Sequence, residues 1–149
     1  EVVVMVAIIA VVATIALTNL SGRRSRTELL GARQQVATLL REAQARSVAQ
    51  ASSTSWGVRL ENSTATRPFY ALFAGSYATS TRVGYYLLPS SVRYATSSLP
   101  EGSIVDIVFS QITGLPSTLT SIVLESIGGS GAAVGSSTIT VNANGSISY

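Results

Sequence analysis

The chain contains no cysteine, no histidine and no lysine, and charged residues make up only 11% of its 149 positions. Without cysteine there are no disulfides, no thiolate metal ligands and no cysteine nucleophile. Without histidine the commonest general base and the commonest transition-metal ligand are missing. Serines abound, but a serine hydrolase needs a His or Lys to activate its nucleophile, and neither is present. The seven acids, Glu1, Glu28, Glu42, Glu61, Glu101, Asp106 and Glu125, are scattered. No pair at short spacing suggests a glycosidase or a carboxylate metal cage. Glu101 and Asp106 can meet by folding, although chance exposure of both is the simpler reading. The stretch GGSGAAVGSS lacks the GK[ST] ending of a phosphate loop and reads as a flexible surface loop. The expectation is a non-enzymatic chain with no cofactor and no metal.

All ten basic residues are arginine and the net charge is +3. Three of them, Arg23, Arg24 and Arg26, form one cluster, so the whole surface is not basic. What the chain does have is an apolar opening, EVVVMVAIIAVVATIALTNL, in which Glu1 precedes nineteen uncharged residues. As a helix, Val2 to Leu20 spans roughly 28 Å, close to the hydrocarbon thickness of a bilayer. Its Val and Ile content is mediocre for a helix in water, but in lipid only a helix closes its own backbone hydrogen bonds. A secretory signal core is the competing reading. It calls for a basic start, a shorter run and a small-residue cleavage site, whereas this start is acidic and the run is long.

After a polar break, SGRRSR, the segment TELLGARQQVATLLREAQARSVAQ shows helical spacing. Leu29, Val36, Leu40, Ala43 and Ser47 form one narrow apolar stripe. Two readings of the break stand side by side: Thr27 caps a helical restart, or the polar break stays helical and gives one long helix to about Ala51. Gly22 and Gly31 are its weak points. From Trp56 onward the period becomes that of strands. SWGVRLE places Trp56, Val58 and Leu60 on one face and Gly57, Arg59 and Glu61 on the other. FYALFA, VGYYLLP, SIVDIVFS and TSIVLES read as further strands, and STITVNANGSISY as a hairpin turning at Asn144-Gly145. The expected fold is α+β: a helix over residues 1–53, apolar over 1–20 and amphipathic over 21–53, packed on an antiparallel β-sheet domain over 54–149.

This plan resembles the type IV pilins and the related pseudopilins of type II secretion. In that family a glutamate is followed by an uninterrupted Val/Ile/Ala helix, an amphipathic continuation and a β-domain. Family members carry a basic leader ending in Gly and a mature start similar to Phe-Thr-Leu-Ile-Glu; EVVVMVAIIAVVATIAL resembles that region from its glutamate onward. LLREAQARSVAQASSTSWGVRLE and STITVNANGSISY are similar to the H-type minor pseudopilin and related minor pilins. The helix-breaking Gly and Pro frequent in the family's apolar half are absent.

The resemblance implies that Glu1 pairs with the N-terminal amine of an adjacent subunit, setting axial register where an unpaired charge is costly. It implies a filament core built from Val2, Val3, Val4, Met5, Val6, Ile8, Ile9, Val11, Val12, Ile15, Leu17 and Leu20. By the same resemblance, these residues are expected to anchor the chain in a bacterial inner membrane before assembly into a surface filament. Leu29, Val36, Leu40, Ala43 and Trp56 are expected to dock the β-domain. Arg23, Arg24 and Arg26 are expected to meet lipid head groups or acids of neighbouring subunits. Expected partners are copies of the chain, minor pilins and the inner-membrane assembly machinery. The alternatives are a minor pseudopilin, a DNA-uptake pilin and a membrane-anchored β-domain that binds a ligand. Nucleic acid would be met by Arg67, Arg82 and Arg93 near Phe69, Tyr77, Tyr85, Tyr86 and Tyr94, although aromatics on strands more often fill a core or an interface. Asn19-Leu20-Ser21, Asn62-Ser63-Thr64 and Asn144-Gly145-Ser146 fit the N-glycosylation acceptor pattern.

Overall fold

The computed structural model describes residues 2–129 and 131–149, and for residues 12–23 the backbone alone. Helix α1 runs unbroken from Val2 to Val48, a rod of roughly 70 Å. The polar break stays helical. The buried face begins, among the described side chains, at Leu29, and continues through Ala32, Val36, Leu40, Ala43 and Ser47. Ala37 and Leu39 widen it beyond the expected narrow stripe, because α1 touches strands of two sheets rather than one. Gly31 lies outside this face, and a methyl group there would meet nothing within 4 Å. Gly31→Ala is therefore expected to stabilise the protein by about 0.5–1 kcal/mol through the helix backbone alone. A thermal melt of the full chain in detergent checks this; a lowered midpoint would contradict it.

The helix ends at Val48, short of the expected boundary at 53. Its exit is strained: Gln50, Ser52 and Ser53 have φ of 53°, 58° and 52°, a left-handed region that costs non-glycine residues of order 1 kcal/mol or more each. A 3₁₀ turn over Ala51–Ser53 completes the reversal. Trp56 holds it in place. Its indole N–H donates to the Ala51 carbonyl at 2.9 Å, and its backbone N–H donates to the buried Ser47 hydroxyl at 2.8 Å.

The β-region comprises β1 (Trp56–Glu61), β2 (Phe69–Ala74), β3 (Arg82–Leu87), β4 (Val92–Tyr94), β5 (Ile104–Phe109), β6 (Thr120–Ile127), β7 (Ala133–Val141) and β8 (Ile147–Ser148). The single expected sheet is in fact two antiparallel four-stranded sheets, ordered β3-β2-β1-β5 and β4-β6-β7-β8. The expected Gly/Ser loop is also corrected. Its second half is the start of β7, held by β6 through pairs such as Glu125↔Ser136 and Leu124↔Ser137. The hairpin between β7 and β8 turns at Gly145, whose φ is 80°; its N–H donates to the Asn142 carbonyl at 2.9 Å.

One core lies between the helix and the sheets. Leu40 and Val36 from α1 meet Val58, Leu60, Ile107, Ile122, Leu124 and Ile139 from the strands. The alternation in β1 holds for Trp56, Val58 and Leu60. Gly57, on the opposite face, is also buried, because the Phe73 ring covers it so closely that an added methyl would come within 2.7 Å.

Candidate functional site

The N-terminal part of α1 carries the most unusual surface. Val2, Val3, Val4, Met5, Val6, Ile8, Ile9 and Val11 are 58–81% exposed. Side chains at every angle around the helix are apolar, so this segment has no polar face to turn to water. Burying eight such side chains is worth on the order of 10 kcal/mol. Among the described residues no helix is long and apolar enough to cross a membrane. The apolar sequence continues through Val12, Ile15, Leu17 and Leu20, whose side chains, with that of Arg23, lie outside the described residues, as Glu1 does entirely.

Beyond this segment the arginine cluster divides. Arg24 pairs with Glu28 one helical turn on, at 2.9 Å. Glu28 also accepts a hydrogen bond from the Ser91 hydroxyl, just before β4. That bond, with Arg24, holds the Glu28 carboxyl below its ordinary pKa. Arg26 is exposed and has no carboxylate partner among the described residues. It lies with Arg33, Leu29 and Leu30 along a groove of about 520 Å³ between α1 and β7, closed on the other side by Val134–Ser137.

The expected docking residues Leu29, Val36, Leu40, Ala43 and Trp56 are all buried in the common core. Polar pins that the sequence does not reveal accompany them. The Gln44 amide donates to the carbonyls of Gly114 and Gly145, at 3.0 and 2.9 Å. It thereby ties two loops to the helix end. Arg41 donates to the Ile147 carbonyl at 3.1 Å, and Arg33 and Arg41 stack on the Tyr149 ring at 4.9 and 4.8 Å. The Arg41 hydrogen bond is the main reason the Tyr149 phenol sits below its ordinary pKa.

The arginines and aromatics considered for nucleic acid are dispersed. Tyr94 is fully buried, its hydroxyl donating to the Phe69 carbonyl at 3.0 Å, and burial pushes its pKa up. Phe69 is buried. Tyr85 and Tyr86 are adjacent on β3 and so point to opposite faces: Tyr85 packs on Phe69 and under Arg82, and Tyr86 stacks on Tyr70. Tyr70 donates to Gln35 on α1 at 2.8 Å, and burial moves its pKa up to about 12. Arg93 faces Glu125 across the β4–β6 pairing, and Arg67 is exposed. No continuous track of arginine and ring faces results.

Glu101 and Asp106 do not meet as a pair. Asp106 sits directly opposite Arg59 across β1 and β5 and accepts two hydrogen bonds from it, at 2.7 and 2.6 Å. These bonds raise the Arg59 pKa, and the guanidinium also lies 3.7 Å from the Tyr77 ring centre. This is cross-strand pairing with an aromatic cover, a structural use of charge. Among the described residues no three His, Cys, Asp or Glu side chains gather. Of the glycosylation triplets, Asn62 is buried with its amide donated to the Leu99 carbonyl at 2.8 Å, so it is not available to a glycan. Asn144 lies exposed in the β7–β8 turn.

No family model, no curated protein and no solved structure matches the chain.

Proposed function

We propose that this chain is a non-enzymatic structural subunit of a type IV pilus-like filament, stored in a bacterial inner membrane and assembled by packing the apolar half of α1 against copies of itself. The observation that carries the reading is the exposure of the Val2–Val11 segment, apolar on all sides and at the end of the helix away from its β-domain contacts. Such a surface needs lipid or like helices around it. Val, Ile and Ala allow close helix approach, where dispersion holds the contact. The distal half of α1 is fixed rigidly to two sheets, so a subunit drawn from lipid into a fibre keeps its β-domain in one orientation on the rod. Heterologous contacts repeated without closure give a helical fibre. Glu1, in this reading, enforces axial register by pairing with the N-terminal amine of a neighbour.

Electron microscopy of the purified chain tests the proposal. Long homopolymers are expected, and short mixed complexes would point instead to the minor-pseudopilin role. Glu1→Ala is expected to abolish filaments while the protein stays folded in the membrane. A Glu1→Ala chain with undiminished filaments would remove the assigned role of that residue, and a wild-type chain that never polymerises would overturn the proposal itself.

A further inference from the structure

β3 ends its sheet in the order β3-β2-β1-β5, so one of its edges is open. The Leu88 N–H donates to the Pro68 carbonyl at 2.9 Å. With Tyr70↔Tyr86 and Leu72↔Gly84 in register, the alternation of an antiparallel ladder makes Gly84 and Tyr86 the residues that bond to β2. Tyr85 and Leu87 therefore turn their N–H and C=O groups to the open edge, where nothing meets them among the described residues. The side chains here are large and apolar: Tyr85, Tyr86 and Leu87 are 39%, 47% and 40% exposed. Residues 84–87 carry no charge and no proline, the devices that keep an edge from pairing.

The other end strands are blunted. On β5 the Ser117 N–H donates to the Val108 carbonyl at 2.7 Å, and the Val108 N–H donates to the Ser117 hydroxyl at 3.2 Å. β4 and β8 are three and two residues long. The open edge of β3 is bounded by the bulge at Val83, which shifts the register with β2, and by Pro89, which has no N–H. What lies between is self-complementary. A two-fold axis through Tyr86 sets Tyr85 opposite Leu87 of a second copy, Leu87 opposite its Tyr85, and Tyr86 opposite its own equivalent. The Tyr85–Leu87 pairs exchange four backbone hydrogen bonds, and both faces gain apolar cross-strand contacts. Arg82, the one charge on β3, lies four residues from the axis, so the arginines of the two copies stay roughly 27 Å apart.

The strands run along the rod. Trp56, at the start of β1, bonds to Ser47, whereas Tyr70, opposite Leu60 near the other end of β1, bonds to Gln35. An axis that reverses the strands therefore reverses α1. Two copies in one bilayer point the same way and cannot make this contact; copies in two filaments of opposite polarity can. We propose that β3 pairs edge to edge with β3 of a second, oppositely directed copy, and so joins filaments side by side into bundles. One such pair is weak, but a filament repeats it along its length. The bundling rests on the filament reading; the strand pairing does not.

The chain has no cysteine, so single thiols report the register. In detergent micelles, where rods are free to oppose, copper–phenanthroline oxidation of Tyr86→Cys is expected to give a disulfide dimer, because facing residues of a non-hydrogen-bonded pair lie within disulfide reach. Tyr85→Cys and Leu87→Cys are expected to cross-link when mixed and not alone. Tyr86→Lys sets two like charges on the axis. It is expected to lower the 85–87 cross-link roughly tenfold and to leave filaments single under the electron microscope. Mixing Tyr86→Lys with Tyr86→Glu copies is expected to restore both, which a misfolded variant does not do. No disulfide at 86, or equal cross-linking of 85, 86 and 87 taken singly, overturns this inference and leaves the filament reading standing if filaments form. In-register disulfides from a wild-type-like chain that never polymerises keep the strand pair and overturn the filament reading, and the bundles with it. If Tyr85→Cys cross-links instead to Ile104→Cys, β3 sits on β5 of the next subunit and the two-fold contact is wrong.

Discussion

Leu40→Ala is expected to destabilise the protein by about 3 kcal/mol, lowering the melting midpoint of the full chain in detergent by roughly 10 °C. Leu40 is fully buried in the core between α1 and the strands. Removing its branched end leaves a cavity that the surrounding side chains, held by strands of two sheets, fill only in part. Near-UV circular dichroism of Trp56, which packs in the same cluster, reports the loss. Leu30 lies on the same helix at 44% exposure, and Leu30→Ala is expected to change stability by no more than about 0.5 kcal/mol. Equal effects at the two positions would contradict the assignment of the docking face.

Ile9→Asp is expected to have the opposite profile. Ile9 is 67% exposed in the apolar segment of α1, so the melt of the β-domain is expected to stay unchanged. On insertion scales, exchanging Ile for Asp near the centre of a membrane helix costs about 3–4 kcal/mol. Membrane partition of the full chain is therefore expected to fall by a factor of roughly 10²–10³, with filament yield falling alongside. Ile9→Leu keeps the apolar surface and is expected to behave as wild type. Flotation on a sucrose gradient measures partition, and an aspartate variant that floats like wild type would mean that this surface does not meet lipid.

These two residues also mark how far the sequence was readable. The amphipathic part of the helix and its buried positions Leu29, Val36 and Leu40 follow from spacing alone, because a 3.6-residue period persists there over several turns. The strands Trp56–Glu61 and Ile104–Phe109 and the Asn-Gly hairpin were legible for the same kind of reason. The start of β7 was not. Ala133–Ser137 is small, polar and glycine-containing, and it is a strand because β6 supplies a hydrogen-bonding edge, not because its own side chains favour extension. β4, at three residues, is too short to show a period, and without it a second sheet cannot be inferred. The α1–β7 groove was out of reach for a third reason. Arg33 and Ser137 are 104 positions apart, so only the tertiary fold brings them together, and a lone arginine on a helix gives no sign that one of its nitrogens is buried without a partner.

The way α1 is fastened has a mechanical consequence. Ser91 grips the helix at Glu28, Tyr70 at Gln35, the two loop glycines at Gln44 and Trp56 at Ser47. A pull along the rod loads these attachments, and the apolar contact between them, in parallel. None is peeled away ahead of the others, so tension travelling down the helix is resisted in shear by the whole interface at once.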